Sequence, residues 1–221
     1  MRILAIGAHP DDVELGLGGC LARHVKRGDT VNVLIFSRGE GGVPDEALTE
    51  GGQIDEEENK TLKGKLREKE TKDALAFLGV KEENIKIFGL PDANIDISRG
   101  TLEEVYQQVM RLQPNIIYTH YLEDDHLDHV RTSLITLHAA RKAKTIIFYE
   151  SPSTRTSFSP NYFVDISKYR AKKVEALKMH KTQVKKPYMD VDVIESNARF
   201  RGVQAKVEYA EAFVVYRVVI E

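Results

Sequence analysis

Short apolar runs alternate along the chain with longer stretches whose apolar residues recur at helical spacing. Ile3–Ile6 is continuously apolar and β-branched at both ends, which predicts a strand buried on both faces. It gives way to an amphipathic helix over Val13–Lys26, closed by Gly28 and Asp29. The alternation then repeats. Further strands are predicted over Val31–Phe36, Ile85–Phe88, Ile116–Thr119 and Ile146–Tyr149, and helices over Leu66–Leu78, Leu102–Leu112 and Val130–Ala143. Gly79 stands where a helix end favours a left-handed residue, and Pro114 stops the helix before it. Strands alternating with helices of about ten or more residues build βαβ units. The expected fold class is therefore α/β, a mostly parallel sheet with helices on both faces. The final third changes character, with a loop over Ser151–Pro160, a helix over Ser167–Lys181 and a last strand over Ala212–Ile220. No repeat or linker divides the sequence. Residues 1–221 are expected to form a single domain, whose last third (about 151–221) completes the site and the sheet edge.

Composition narrows the partners. Basic and acidic residues nearly balance, 32 against 34 for a formal net charge of −2, which argues against nucleic acid. The hydrophobic fraction of 42% supports a real core, and the 30% charged fraction a soluble surface. Cys20, the one cysteine, leaves no internal disulfide and reads as a small apolar helix residue. Asp11, Asp12 and Glu14 interrupt any signal-peptide core, and no run approaches the ~18 apolar residues of a membrane span. A cytoplasmic location is expected. Gly39–Lys65, with its acidic run Asp55–Glu58, reads either as a solvated loop or as a lid over a cleft.

Candidate chemistry gathers at two strand ends. GAHPDDVELG (residues 7–16) leaves the first strand and opens a helix, where the carboxyl ends of parallel strands hold ligands. Pro10 suits the first helical turn, and the helix dipole there should keep Asp11 and Asp12 ionised. THYLEDDHLDH (119–129) has the same topological position, and His126 and His129 share one helical face. A catalytic zinc takes three nitrogen or oxygen ligands and keeps an open position for water. His9, one of Asp11 or Asp12, and one of His126 or His129 supply such a set. Elsewhere, GLGG (16–19) lacks dinucleotide-binding spacing. His24 and His138 read as packed or surface residues, His120 as a residue able to line the cleft, and His180 as one that can approach it from the C-terminal segment.

AHPDDVELGLGG (8–19) together with HLDH (126–129) resembles the PIG-L or LmbE-like deacetylases, zinc-dependent enzymes that remove the acetyl group from N-acetylglucosaminyl (GlcNAc) compounds. The resemblance continues through SRGEGG (37–42), LREKETKDALAFLGV (66–80), YESPS (149–153), FVDIS (163–167), HKTQ (180–183) and YAEAF (209–213), so it covers nearly the whole chain. Thr182 departs from the serine expected in HKTQ. The resemblance implies a Rossmann-like fold and one Zn²⁺ per subunit, or another divalent metal, on His9, Asp12 and His129. It further implies Asp11 as general base and His126 as the group that stabilises the oxyanion.

That chemistry is coherent. Zinc polarises a carbonyl and lowers the pKa of its water to about 7. Asp11 can take the water proton and return it to the leaving amine, and an imidazolium at His126 can face the oxyanion. Asp128 can orient a histidine or simply charge a helix N-terminus. Arg38, just after the second strand, can hold a sugar hydroxyl or an anionic aglycone. The expected function is hydrolysis of an N-acetyl group on a small GlcNAc-containing conjugate. The alternative is a module that binds a sugar or nucleotide without turnover. The resemblance, with an apolar Tyr-bearing last strand, also suggests a homo-oligomer, a trimer or hexamer.

Overall fold

β1 (Arg2–Gly7) is buried beyond its first residue and sits near the middle of the molecule. The computed structural model describes residues 1–44 and 55–219. β1 is followed by α1 (Asp12–Lys26), β2 (Thr30–Ser37), α2 (Glu56–Leu78), β3 (Ile85–Leu90) and α3 (Arg99–Leu112). β4 (Ile116–His120), α4 (Leu127–Ala139) and β5 (Ile146–Tyr149) complete the parallel part. The last third adds β6 (Tyr162–Asp165), α5 (Arg170–Leu177), α6 (Val191–Ala205) and β7 (Ala210–Arg217). The sheet order is β3-β2-β1-β4-β5-β7-β6. The first five strands in sequence run parallel, and β7 pairs antiparallel with both β5 and β6. This is the expected α/β architecture.

Alternation along β1 sorts the core into two layers. Ile3 and Ala5 face Val13, Leu17 and Leu21 of α1 and Leu75 and Leu78 of α2. Leu4 and Ile6 face Val105 and Val109 of α3 and Ile135 of α4. The crossover to β2 and the return to β4 leave β1 on opposite sides of the sheet, so the carboxyl ends of β1 and β4 form a switch point, where open α/β sheets hold ligands. The glycines of GLGG allow close approach: a Cβ on Gly16 would lie 2.3 Å from the Tyr149 ring, and one on Gly19 2.8 Å from Ile166.

Several elements depart from the sequence reading. α2 starts at Glu56, ten residues before the expected Leu66, because the Asp55 carboxylate accepts from the Glu58 N–H at 2.9 Å and Glu56–Glu58 complement the helix dipole. The acidic run is therefore a helix start, and residues 45–54 of the expected loop or lid lie outside the described residues. α4 starts at Leu127 and ends at Ala139, earlier than Val130–Ala143. The expected helix over Ser167–Lys181 contracts to α5, and β6 and α6 add elements that the pattern did not announce. Cys20 and His24 are buried, as expected. No helix among the described residues is long and apolar enough to cross a membrane.

Candidate metal centre

The turn after β1 divides two adjacent carboxylates. Asp11 is not in the first helical turn as expected; it sits at the N-cap of α1 in a left-handed conformation with φ 93°, where its side chain makes no capping bond, whereas Asp12 opens the helix. A left-handed non-glycine residue costs free energy and persists where its surroundings hold it. Arg67 of α2 does so, bonding the Pro10 carbonyl and, at 3.1 Å, Asp11 Oδ2. Asp12 points the other way. Its Oδ2 accepts from the His9 backbone N–H at 2.7 Å and lies 3.4 Å from His9 Nδ1, while its Oδ1 lies 3.3 Å from His129 Nε2.

Carboxylates behind each histidine fix its orientation. Asp128 Oδ2 and Asp92 Oδ1 stand 3.3 and 3.2 Å from His9 Nε2, which turns Nδ1 toward Asp12. Asp128 is itself held by the Ile95 N–H at 3.1 Å, and Asp92 by the Gly41 N–H at 2.8 Å. Asp124 Oδ1 lies 3.2 Å from His129 Nδ1 and accepts from the Ser153 hydroxyl, while Oδ2 accepts from the hydroxyls of Ser151 and Thr154. Its hold on Nδ1 leaves His129 Nε2 facing Asp12. Carboxylate–imidazole pairs of this kind fix the tautomer and orientation of metal-binding histidines. His120, fully buried, stacks on His129 with centroids 4.0 Å apart and reaches Asp12 Oδ2 at 3.1 Å.

The protonation pattern marks where positive charge is favoured. Burial opposes protonation of His9 and His129, yet Asp12, Asp92 and Asp128 raise His9 well above its ordinary value, and Asp12 and Asp124 raise His129 to about 9. Burial would raise Asp12, but His129 and His120 hold it well below the usual carboxylate range. Asp11 behaves differently. Burial pushes it up to about 6 against the pull of Arg67, above the ordinary carboxylate range, so it stays ionised near neutral pH but is more basic than a carboxylate at a helix N-terminus.

His126 also departs from expectation. Burial and the neighbouring His9 and His129 lower its pKa, and its Nδ1 accepts from the Asp128 N–H at 3.3 Å. This arrangement leaves Nε2 as the ring's donor and favours the neutral imidazole over the imidazolium of the expectation. Its ring lies 4.7 Å from His9 and 4.6 Å from His129, centroid to centroid, so all three imidazoles converge.

Among the described residues, ligand atoms of His9, His126 and His129 lie within 4.8 Å of one another, as do those of Asp12, His120 and His129 and those of His9, Asp92 and Asp128. Imidazole nitrogens and carboxylate oxygens converging where carboxylates raise two buried histidines form a donor set that fits a divalent cation. The cavity beside it, about 540 Å³, is lined by His9, Asp11, Asp12, His126 and His129, and by Gln183 and Tyr188 from the C-terminal third.

Other candidates fall elsewhere. Arg38 lines an adjoining cleft of about 970 Å³ that meets this cavity at Gly41 and Asp92, and pairs with Glu68 at 3.3 Å. His180 does not line the cavity; it is fully buried against Glu14. His138 is exposed. Sequence reading missed Asp92, Asp124 and Arg67. Asp124 was visible as an acid in the strand-end cluster, but nothing in the spacing tied it to His129.

A family model described as PIG-L, GlcNAc-PI de-N-acetylase, matches residues 4–140. The chain is 32% identical over 185 residues to the uncharacterized deacetylase YaiS of Escherichia coli, covering 81% of this chain and 90% of that one. It is 26% identical over 200 residues to the diacetylchitobiose deacetylase of Thermococcus kodakarensis, covering 82% and 70%. In fold it is similar to GalB, the 4-carboxy-2-hydroxymuconate hydratase of Pseudomonas putida, with a TM-score of 0.84, 21% identity, and coverage of 100% and 98%. With the family model spanning more than half of its length and a relative this similar over most of both sequences, the chain belongs to the PIG-L family of de-N-acetylases.

Proposed function

We propose that this protein is a metal-dependent N-deacetylase acting on a small GlcNAc-containing conjugate. The observation that carries the reading is the division of labour at the first turn. Asp12 spans His9 and His129 with its two oxygens, while Asp11, turned away by its backbone, is held apart by Arg67. His9, Asp12 and His129 would hold the metal, with His9 offering Nδ1 and His129 offering Nε2. Bound there, a zinc ion would supply a Lewis acid for the amide carbonyl and lower the pKa of water to about 7.

The rest of the chemistry belongs to the chain. Asp11, with a pKa of about 6, is deprotonated at neutral pH yet basic enough to take a proton from the attacking water. The same carboxyl group then returns the proton to the amine as the C–N bond breaks. His126 Nε2–H donates to the oxygen on which negative charge grows, and a neutral donor serves there as a fixed dipole. Asp124, Asp92 and Asp128 keep the two ligand histidines aimed.

Acetate release from a panel of N-acetylglucosamine conjugates, with and without a chelator, tests the reading. Chelator-sensitive release is expected. A metal-loaded protein that binds the sugars and releases no acetate would be a binding module, and the proposal would fall.

A further inference from the structure

Behind the candidate base lies a buried group of charges that the chemistry above does not use. Glu14, on α1, is fully buried and so is His180, whose Nε2 stands 3.1 Å from Glu14 Oε1. Thr71 of α2 donates to the same oxygen at 2.9 Å. Thr71 and Arg67 are four residues apart, on one face of α2, so the bond to Thr71 brings Glu14 alongside Arg67. Two complementary atoms there have no hydrogen-bond partner among the described residues: the acceptor Glu14 Oε2 and the donor Arg67 Nε.

Arg67 bonds Asp11 and makes no bond to Glu14, whose charge also acts on Asp11. An isolated buried carboxylate is strongly unfavourable and recruits any cation within reach. His180 meets that demand at Glu14. Burial opposes its proton, but the charge of Glu14 raises its pKa above the ordinary histidine value. The imidazole cannot withdraw, because its own segment is fastened to α2 and to the cavity wall. Thr182 donates to Glu70 twice, from N–H at 2.9 Å and from its hydroxyl at 2.7 Å, and Gln183 donates to the Gly42 carbonyl at 3.1 Å.

We propose that His180 is a positioning residue: by satisfying Glu14 it keeps the Arg67 guanidinium on Asp11. The inference rests on the reading of Asp11 as general base, and it gives the HKTQ segment a task in the site without contact with substrate. Without His180, Arg67 turns to Glu14 and Asp11 loses its clamp.

The test is a cycle of two substitutions. His180→Gln keeps a hydrogen-bond donor but no charge, and is expected to lower kcat about tenfold or more while KM changes little. Adding Glu14→Gln removes the competing carboxylate and should restore most of that loss. A pair that only stabilises the fold would leave the double variant at least as slow as His180→Gln, and that result overturns the proposal. If His180→Gln does not fold, the double variant is compared with Glu14→Gln alone: similar kcat supports the inference, and a further tenfold loss refutes it. A crystal structure of His180→Gln, or of the double variant in its place, reads the guanidinium directly. Arg67 should bond Glu14 in the first and Asp11 in the second; Arg67 unmoved in the first, or off Asp11 in the second, sinks the idea. This structural readout is independent of turnover, so an Asp11→Asn variant that stays active would remove the base assignment without deciding where His180 sends Arg67.

Discussion

Asp11 and Asp12 differ in chemistry because one dihedral separates them. Neighbours in a helical turn already diverge by roughly 100°, and the φ of 93° at Asp11 carries its carboxylate out of the helix altogether. Asp11→Asn should keep bound zinc, by metal analysis, and lose most of kcat; near-normal turnover would refute the role. Because burial raises the folded pKa of Asp11 to about 6, the base is lost as pH falls through that value. The acid limb of the pH–rate profile is expected near pH 6, and its disappearance in Asp11→Asn would identify it. The two histidines of HLDH part in the same way. His129→Ala should lose zinc, since His129 is oriented by Asp124 and faces Asp12. His126→Ala should retain it and lose about 10²–10³ in kcat, the usual effect of removing one oxyanion donor. Exchange of these two outcomes would redraw the ligand set.

At the scale of elements, helix α1 owes its place to small residues. A methyl at Gly16 would collide with the Tyr149 ring, which cannot swing aside because its hydroxyl donates to the Ile6 carbonyl at 2.9 Å. Gly16→Ala should cost about 1–3 kcal/mol of stability as an overpacking substitution, read from urea unfolding; an unchanged midpoint would show that the contact yields. The same elements show how far the sequence could be read. β1, β2, β4 and β5 were legible because strands covered on both faces are continuously apolar, and so the strand ends carrying His9 and His129 were found. The first turns of α2 were not, since Glu56–Lys65 holds Leu62 as its one large apolar residue and its helix signal lies in the Asp55 cap. β6 is four residues long, and α6 has little apolar contrast between its faces. Asp92 and Arg67 were out of reach for a different reason. Their roles depend on partners 83 and 56 positions away, His9 and Asp11, and no local pattern encodes such a pairing.

Across the whole molecule, carboxylates outnumber the imidazoles they surround at the centre, and protons on His9 and His129 balance part of that charge. Zinc binding near neutral pH should therefore release protons, measurable by calorimetry in buffers of different ionisation enthalpy. Binding without proton release would remove these histidines as ligands. Tyr216, Val218 and Val219 stay exposed at the end of β7 and just beyond it. Self-association through this apolar edge is expected, and a monomer mass by light scattering at micromolar concentration would exclude it.

Glu211, on β7, carries a further consequence. Its carboxylate accepts from the backbone N–H groups of Gly19 and Cys20 at 2.9 and 2.7 Å, inside the helix that Asp12 opens, and is balanced by Lys173 at 2.7 Å. During synthesis every proposed ligand, up to His129, is made before the groups that fasten α1 from behind, His180 and Glu211. A nascent chain can thus present its ligands to a metal well before it can hold them still. The site is written early and finished later, when β7 joins the sheet and Glu211 reaches α1.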